Sequence, residues 1–353
     1  MAALDTVDPA TGLHAGTFGL GTFESGGRVF AGLVLPGGGI VDLAPDFGDV
    51  AGIFEGWRTH FDRLRDIARD RQPTARLDDV RALPPVARPN LMCSGSNYAT
   101  HVAQMLSKNS FNKHDRREGE TDEDVYQRVY AKTAARRESG TPFVFTTLHS
   151  ALVGATDDIV LPALGDQPDW ELELGVVIGD AGRFLTLDEA QASIAGYVML
   201  NDLGTVDIFR RTDIHFGYDW ISKNQPTFKP LGPFIVPAPF LPTLEGMKVD
   251  LRVNGEVMQD WPVDDFIFSP AQVIAYLSER VRLMPGDIVA MGSPPGNGAH
   301  HGGRFLRDGD VIEASITGLG RQRNLCRAED IGGRTPVFGL WTNAPDEPLA
   351  APA

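Results

Sequence analysis

The sequence predicts an α+β fold dominated by β-strands. Short apolar stretches separated by Gly-rich turns fill the first 45 residues, and the pattern returns between Phe143 and Arg327. Clear helical periodicity is confined to a few segments, and no strand–helix–strand repeat occurs. The sequence therefore argues against a parallel α/β sheet.

Composition excludes several classes of protein. The chain has 353 residues, 42% of them hydrophobic, and a formal net charge of -15. An acidic chain is a poor non-specific nucleic-acid binder, because such binding needs a basic surface. No apolar run approaches the roughly 20 residues that span a bilayer. The N-terminus lacks the pattern of a signal peptide, so we expect a cytoplasmic protein without a membrane or nucleic-acid partner.

Two domains and a tail are predicted. Residues 1–85 form a small β-rich domain with one helix, whose apolar residues recur every three or four positions. Those residues are Ile53, Trp57, Phe61, Leu64 and Ile67. A Pro-rich, charged linker leads to a larger domain at 86–330, and the Pro- and Ala-rich tail at 331–353 is expected to be disordered.

The larger domain contains a charged insert and one clear helix. The insert at 107–140 is dense in charge and has helical propensity in its middle. It is either a solvated surface excursion or a mobile lid over a site, and the sequence leaves both open. The helix begins with Ser269 as the N-cap and Pro270 at its first position. Cys93 and Cys326 have no metal-ligand spacing and are expected to be reduced thiols.

Two glutamates alternate with apolar residues in "WELELGVVIGD". On a strand, Glu171 and Glu173 share one face, while Trp170, Leu172 and Leu174 share the other. An ordinary amphipathic strand has this pattern. In a cleft, however, two neighbouring carboxylates require a cation, and a hard divalent metal is the natural partner of oxygen ligands.

Three further residues are candidates for the same site. Asp202 follows the apolar run "GYVMLN", where a buried strand enters a loop, and is either a third ligand or a turn residue. Lys223 lies in an apolar, Pro-rich setting and either stabilises an oxyanion or extends to the surface. His101 of "GSNYATH" is either a base that activates water or a structural histidine.

Eight segments in order resemble the fumarylacetoacetate hydrolase (FAH) family over roughly residues 91–327. They are "GSNYATH", "WELELGVVIG", "GYVMLND", "SKNQPTFKPLGPFIV", "VNGEVMQD", "IFSPAQVIAYLS", "LMPGDIVAMGSPPGNG" and "GDVIEASITGLGRQRN". The resemblance implies an FAH-like mixed β-roll catalytic domain, usually in a homodimer. It also implies a divalent ion, Mg²⁺ before Mn²⁺ or Ca²⁺, held by Glu171, Glu173 and Asp202.

The resemblance also implies a reaction. Lys223 matches the family lysine beside the metal, and His101 matches the histidine that helps activate water. Candidate substrate contacts are Tyr98, Val206, Phe209 and Ser293. The predicted function is metal-dependent hydrolysis of a C–C bond in a 1,3-dicarbonyl compound, in the catabolism of aromatic or cyclic compounds. The alternatives are decarboxylation, hydration or isomerisation of a 2-oxo acid, or an inactive metal-stabilised binding protein.

The chain departs from the family pattern at the water-activating side. An acid is common three residues after the histidine, and this sequence has Gln104, which cannot act as a base. An acid of the insert is a possible substitute, the candidates being Glu118, Glu120 and Glu123. The sequence does not choose among them.

Other departures concern the substrate. Val206 and Phe209 stand where acylpyruvate enzymes have Arg and Gln, and Thr147 stands where a lysine is usual. These changes remove cationic groups and add an aromatic ring. The hypothesis is that the substrate is less anionic and more apolar than an acylpyruvate. An arginine that reaches into the site, Arg210 or Arg211, would weaken this hypothesis.

Overall fold

A computed structural model of the chain describes residues 7–108, 116–209 and 220–339. The helices are α1 Val50–Glu55, α2 Trp57–Asp70, α3 Ala99–Lys108, α4 Asp122–Ala134, α5 Arg136–Ser139, α6 Leu187–Ala192 and α7 Pro270–Ser278. The predicted disorder of the tail falls mostly outside the described residues, which end at 339.

The strands account for most of the regular structure. The first ten are β1 Gly19–Ser25, β2 Arg28–Val34, β3 Gly39–Asp42, β4 Ala75–Arg76, β5 Arg81–Leu83, β6 Leu91–Gly95, β7 Phe143–Thr147, β8 Leu152–Val153, β9 Ile159–Leu161 and β10 Pro168–Asp169. The others are β11 Leu172–Ile178, β12 Ile194–Asn201, β13 Gly204–Thr205, β14 Lys229–Pro230, β15 Val236–Pro237, β16 Lys248–Val253, β17 Glu256–Pro262, β18 Ile288–Ala290, β19 Val311–Ile316 and β20 Arg321–Ala328. The predicted α+β, β-dominated fold is confirmed.

The N-terminal part is an antiparallel sheet in the order β4-β3-β2-β1-β5 with helices beside it. The single helix predicted here is divided at Gly56 into α1 and α2. Glycine is a poor helix former, so a break at this residue costs little. Asp49 caps α1 through the backbone N–H of Gly52, and Ile53 and Leu64 are fully buried.

The N-terminal sheet is joined to the larger part by backbone hydrogen bonds and a shared core. Leu20 and Ile235 exchange both N–H···O bonds at 2.8 Å. One apolar cluster contains Phe18 and Leu33 of the N-terminal part together with Val198 and Ile288. The predicted domain boundary near residue 85 stays a prediction. This apolar cluster contains residues from both sides of that boundary.

The central sheet has the order β15-β12-β11-β18-β6-β7, and only the β18–β6 pair is parallel. Every residue of β11 and β12 is buried. Strands buried on both faces are rich in apolar residues throughout, which explains the run that follows Glu173. Polar side chains at the ends of these strands therefore lie where a buried sheet meets a cavity.

A third sheet, in the order β17-β16-β19-β20-β9, packs beside the central one. α7 begins as predicted, because Ser269 accepts the N–H of Gln272 and the Gln272 side chain accepts the N–H of Ser269. α6 was not predicted, and Thr186 and Glu189 form the same reciprocal cap at its start. No helix among the described residues is long and apolar enough to cross a membrane.

The described part of the charged insert packs on α3. Val125 and Val129 of α4 bury their side chains with Ala103 of α3. Arg137, after α4, donates to the Asp265 carboxylate at 2.8 Å. This part of the insert thus contains two helices, α4 and α5, and shares a small core with α3, while residues 109–115 lie outside the described residues.

Candidate active site and metal centre

Three carboxylates meet at one end of the β11–β12 pair. Leu172 pairs with Asn201 and Glu173 with Leu200, which brings Glu171, Glu173 and Asp202 to the same edge. The N–H of Asp202 donates to the Glu171 carbonyl at 2.8 Å, and the N–H of Glu171 donates to Asn201 Oδ1 at 2.9 Å. One oxygen of each carboxylate lies within 4.8 Å of the others.

The apolar side chains of the same segment hold the glutamates in place. Trp170, Leu172 and Leu174 are buried, as their alternation predicted. The Trp170 indole donates to the carbonyl of Gly296 at 3.0 Å, and the N–H of Leu172 donates to Gln259 Oε1 at 3.0 Å. These two contacts hold the residues on either side of Glu171 in place.

Glu173 is held by a backbone donor that requires glycine. The N–H of Gly292 donates to Glu173 Oε2 at 2.8 Å. Gly292 has φ 92°, and a Cβ there would lie 2.8 Å from the carbonyl oxygen of Ser94. Both the positive φ and the close backbone therefore favour glycine at this position.

Two lysines neutralise part of the carboxylate charge. Lys223 Nζ binds Glu171 and lies 2.8 Å from Asp202 Oδ2. Lys229 Nζ, fully buried, lies 2.8 Å from Asp202 Oδ1 and donates to the carbonyl of Leu203 at 2.8 Å. Sequence analysis missed Lys229, although it follows Lys223 by six residues in the same Pro-rich segment.

Burial and mutual charge shift the pKa values of these groups. Burial and the neighbouring charges of Asp202 and Glu171 raise the pKa of Glu173 well above its ordinary range. Burial alone would raise the pKa of Glu171 as well, but the charge of Lys223 and the nearby His101 lower it to about 2. Burial lowers the pKa of Lys229. Glu173 is thus the carboxylate most in need of a further cation.

His101 lies beside the carboxylates on α3, a helix that the turn-forming residues of "GSNYATH" did not predict. Its Nε2 is 3.6 Å from Glu171 Oε1, slightly longer than a direct hydrogen bond. Neither His101 Nδ1 nor Gln104 Oε1 has a hydrogen-bond partner among the described residues. Among the described residues, the acid that lies beside His101 is Glu171. Position 104, where the family pattern has an acid, holds Gln104.

The acids of the insert are engaged elsewhere. Glu120 binds Arg128 through both carboxylate oxygens at 2.7 Å, and this arginine lowers the pKa of Glu120 to about 2. Glu123 accepts from Gln127 at 2.6 Å, and Glu118 is exposed. None of the three is among the described residues that line the cavity at the carboxylates.

A cavity of about 380 Å³ opens above the carboxylates. Two predicted substrate contacts, Phe209 and Ser293, line it. Val206 lines an adjoining cavity of about 70 Å³ instead, which also borders Glu171 and Phe209. Tyr98 lines neither, because it is 1% exposed and its hydroxyl donates to the carbonyl of Val263 at 2.7 Å. Its position does not support a role in substrate binding.

Asp169 is a second residue of the site that sequence analysis missed. It borders the smaller cavity and is 3% exposed. Its Oδ1 accepts the N–H groups of Trp170 and Gly298 at 2.8 Å, while Oδ2 has no partner among the described residues. Burial raises the pKa of Asp169 to about 8. Asp169 directly precedes "WELEL" in the sequence, and this position could have identified it as a candidate for the site.

The donor set fits a hard divalent cation. All three candidate ligands offer carboxylate oxygens, which Mg²⁺, Mn²⁺ and Ca²⁺ prefer. The three carboxylates outnumber the two ammonium groups that contact them. Buried carboxylates in excess of their counter-charges are costly, and a divalent ion removes that excess.

The fold, together with a carboxylate cluster that could hold a metal ion, is that of one known enzyme family. A family model for the fumarylacetoacetate (FAA) hydrolase C-terminal domain matches residues 90–327. The chain therefore belongs to the fumarylacetoacetate hydrolase family.

Relatives in this family carry different activities in their names. A 2,4-didehydro-3-deoxy-L-rhamnonate hydrolase of Sphingomonas sp. (strain SKA58) is 40% identical over 52% of this chain, and the match spans 64% of that relative's length. The bovine mitochondrial oxaloacetate tautomerase FAHD2A is 32% identical over 70% of each chain. The Bacillus subtilis oxaloacetate tautomerase YisK is 32% identical over 70% of this chain and 73% of its own.

Solved structures share the fold. The fumarylacetoacetate hydrolase of Exiguobacterium antarcticum superposes with a TM-score of 0.67 at 26% identity, over 89% of this chain and 100% of that one. A maleylpyruvate hydrolase of Sphingobium sp. SYK-6, solved with manganese(II) and pyruvate, gives 0.66 at 23% identity, over 88% of this chain and 100% of that one. At that identity the second likeness shows the fold alone.

Proposed function

We propose that the protein is a metal-dependent hydrolase that cleaves the C–C bond between the two carbonyls of a 1,3-dicarbonyl compound. The observation that carries the proposal is the position of His101, 3.6 Å from one of three clustered carboxylates at the base of a cavity. A base beside a site for a divalent ion suits water activation. The relative named a 2,4-didehydro-3-deoxy-L-rhamnonate hydrolase and the solved fumarylacetoacetate hydrolase support a hydrolytic reaction.

Glu171, Glu173 and Asp202 would hold the metal, for which we propose Mg²⁺ first and Mn²⁺ or Ca²⁺ as alternatives. A divalent ion bound there supplies Lewis-acid polarisation of the substrate's carbonyl oxygens. A manganese complex of a solved structure with this fold agrees with an oxygen-preferring ion. Lys223 and Lys229 each lie 2.8 Å from a different oxygen of Asp202 and would orient this ligand.

His101 would accept the proton of the attacking water. The water oxygen bonds to the carbon of one carbonyl, and the bond between that carbon and the central carbon then breaks. The electron pair leaves with the central carbon as an enolate, which takes up a proton to give a methyl ketone. The other product is a carboxylic acid, so one water is consumed for each bond cleaved. Lys223 offsets the enolate's negative charge through its own positive charge.

Keto–enol isomerisation or decarboxylation of a 2-oxo acid is the second candidate. The replacement of the usual acid by Gln104 favours it, because His101 then lacks a carboxylate on its own helix. Two relatives that are matched over 70% of this chain are named oxaloacetate tautomerases. Both candidates use the same carboxylates and Lys223, and they differ in whether water enters the product.

Product analysis separates the two candidates. The protein loaded with Mn²⁺ is incubated with acetylpyruvate and, separately, with oxaloacetate, and the products are identified by NMR. Hydrolysis gives acetate and pyruvate from acetylpyruvate, is lost with a chelator and returns with Mn²⁺. Exchange of the central protons or release of CO₂ faster than with Mn²⁺ alone, and without acetate, would reject the hydrolase and favour the second candidate.

A homodimer, a cytoplasmic location and a role in the catabolism of aromatic or cyclic compounds remain part of the proposal. The homodimer and the catabolic role rest on resemblance to the family. The partner we propose is the small dicarbonyl or 2-oxo acid substrate.

A further inference from the structure

Four aromatic rings form one side of the large cavity. They belong to Phe143, Phe145, Phe209 and Trp220, and together they are called the aromatic wall. Phe145 and Trp220 stack at 4.4 Å between ring centroids with an angle of 23°. Phe209 meets Trp220 edge-on at 4.9 Å, and Phe143 lies 5.5 Å from the same indole. Trp220 is thus the centre of the wall.

The wall is assembled from segments that are distant in the chain. Phe143 and Phe145 lie on β7, Phe209 follows β13, and Trp220 begins the short helical turn that ends at Lys223. The 4.4 Å contact closes the space between Phe145 and Trp220, so a ligand packs against these rings rather than between them. Phe143 is 43% exposed, so the wall reaches the mouth of the cavity.

The wall begins beside the charged cluster. Lys223 Nζ, which binds Glu171 and Asp202, lies 5.7 Å from the centroid of the Phe145 ring. A dicarbonyl held at the carboxylates therefore directs any substituent on one of its ends along the rings. Phe209 also borders the smaller cavity, so the wall extends past the carboxylates on that side.

Charged groups are confined to one part of the described lining. Apart from Glu171, Glu173, Asp202, His101 and Lys223, the described side chains that line the large cavity are uncharged. α3 adds Val102, Met105 and Leu106. A second carboxylate on the substrate, away from the dicarbonyl, would find no counter-charge among the described lining residues there. Arg210 and Arg211 lie outside the described residues.

We infer that the substrate carries a flat, uncharged aromatic or conjugated substituent, and that the aromatic wall binds this substituent. The inference rests on the proposed function for the position of the dicarbonyl group. The cavity volume falls within the range of about 300–1,000 Å³ typical of small-molecule sites. Ring-to-ring contact adds to the gain from burying apolar surface, so the preference extends beyond size alone.

Ligand binding tests this without requiring turnover. Calorimetry on the Mn²⁺-loaded protein compares 4-phenyl-2-oxobutanoate, 2-oxobutanoate and 2-oxoglutarate, which share a chelating 2-oxo acid and differ at the far end. We expect the phenyl compound to bind at least about tenfold more tightly than either of the others. Equal affinities, or tightest binding of 2-oxoglutarate, would overturn the inference.

Variants identify the wall as the cause. Trp220→Leu and Phe145→Leu should each reduce the phenyl preference severalfold while the affinity for 2-oxobutanoate stays the same. Phe184→Leu is the matched control. Phe184 is 68% exposed and is not among the described residues that line the cavity. A preference that survives in both wall variants would contradict the inference. If either variant fails to fold, the comparison of the three ligands on the unmodified protein still decides.

The result is independent of the reaction. A protein that prefers the phenyl ligand but does not cleave acetylpyruvate or benzoylpyruvate would reject the proposed hydrolase and leave the aromatic site in place. A protein that cleaves both acylpyruvates with equal kcat/KM and shows no phenyl preference in binding would keep the hydrolase and reject the aromatic site.

Discussion

Lys229 Nζ lies 2.8 Å from Asp202 Oδ1, and both side chains are almost wholly buried. Asp202 also receives Lys223 on its other oxygen. One candidate metal ligand thus has two ammonium groups, whereas Glu173 has a backbone N–H and two neighbouring negative charges. Asp202 thus has a counter-charge on each of its oxygens, whereas burial and the neighbouring negative charges raise the pKa of Glu173.

Lys229→Met should destabilise the protein through this pair. Removing one partner of a buried ion pair costs about 3–5 kcal/mol, because the remaining charge stays buried without its partner. The double variant Lys229→Met/Asp202→Asn should recover part of that loss in urea unfolding. Lys248→Met, which breaks an exposed pair with Asp260, should change the free energy of unfolding by less than about 1 kcal/mol. Equal losses at both lysines would contradict the pairing.

Glu171→Ala should reduce metal affinity while the fold survives. Groups that only orient a ligand typically contribute about 10–100-fold to metal affinity, and a direct ligand should contribute at least as much. Calorimetry with Mn²⁺ measures the loss, and circular dichroism checks the fold. Glu245→Ala is the control, because Glu245 is exposed and is not one of the three clustered carboxylates. Unchanged Mn²⁺ affinity in Glu171→Ala would show that the metal site is wrongly assigned.

His101→Asn should separate water activation from metal binding. Loss of a general base typically lowers the rate by about 10²–10⁴-fold, so kcat for C–C cleavage should fall by this factor. Mn²⁺ affinity should stay the same, since His101 lies 3.6 Å from Glu171 and is not one of the three clustered carboxylates. His149→Asn, at an exposed position, should leave kcat unchanged. Undiminished cleavage in His101→Asn would assign the base to another group.

Val125→Ala should loosen the helix that carries His101. Val125 is 1% exposed in the contact between α4 and α3, and the lost methyl groups should cost about 1–3 kcal/mol. Hydrogen exchange should become faster along α3 and kcat should fall, with Mn²⁺ affinity unchanged. Val281→Ala, which is 43% exposed, provides the control. Unchanged exchange in α3 would mean that α4 does not support it.

Asp46→Asn should alter the pH dependence of stability. Asp46 binds both Arg63 and Arg71, and these arginines, Arg71 most strongly, lower its pKa below the ordinary value of 3.8. The unfolded chain therefore takes up this proton at higher pH than the folded protein. The stabilisation is present above pH 3.8 and is lost as the pH falls through the lower folded-state pKa.

Thermal unfolding of Asp46→Asn and the unmodified protein should thus differ at pH 6 and converge in strong acid. Asp62→Asn, whose carboxylate is 80% exposed and 3.8 Å from Arg65, should show no such convergence. A constant difference between Asp46→Asn and the unmodified protein at every pH would contradict the ion-pair origin.

Local patterns in the sequence determined much of the scaffold. The alternation in "WELEL" and the end of "GYVMLN" predicted two strands with acids at one edge, and the β11–β12 register brings those acids together. Ser269 and Pro270 predicted the start of α7. Such features are readable because a strand's period and a helix cap depend on residues only a few positions apart.

Tertiary structure alone decided how the site is completed. Lys229 pairs with Asp202, and Trp220 stacks on Phe145. The partners are far apart in the sequence, so the periodicity of a strand or helix does not predict these contacts. His101 of α3 lies 3.6 Å from Glu171, and Glu120 binds Arg128 instead of approaching that histidine. The sequence by itself determined that Glu171, Glu173 and Asp202 lie at the ends of two strands. The packing of distant segments decided which cations, base and rings surround them, because burial and charge pairing depend on neighbours in space.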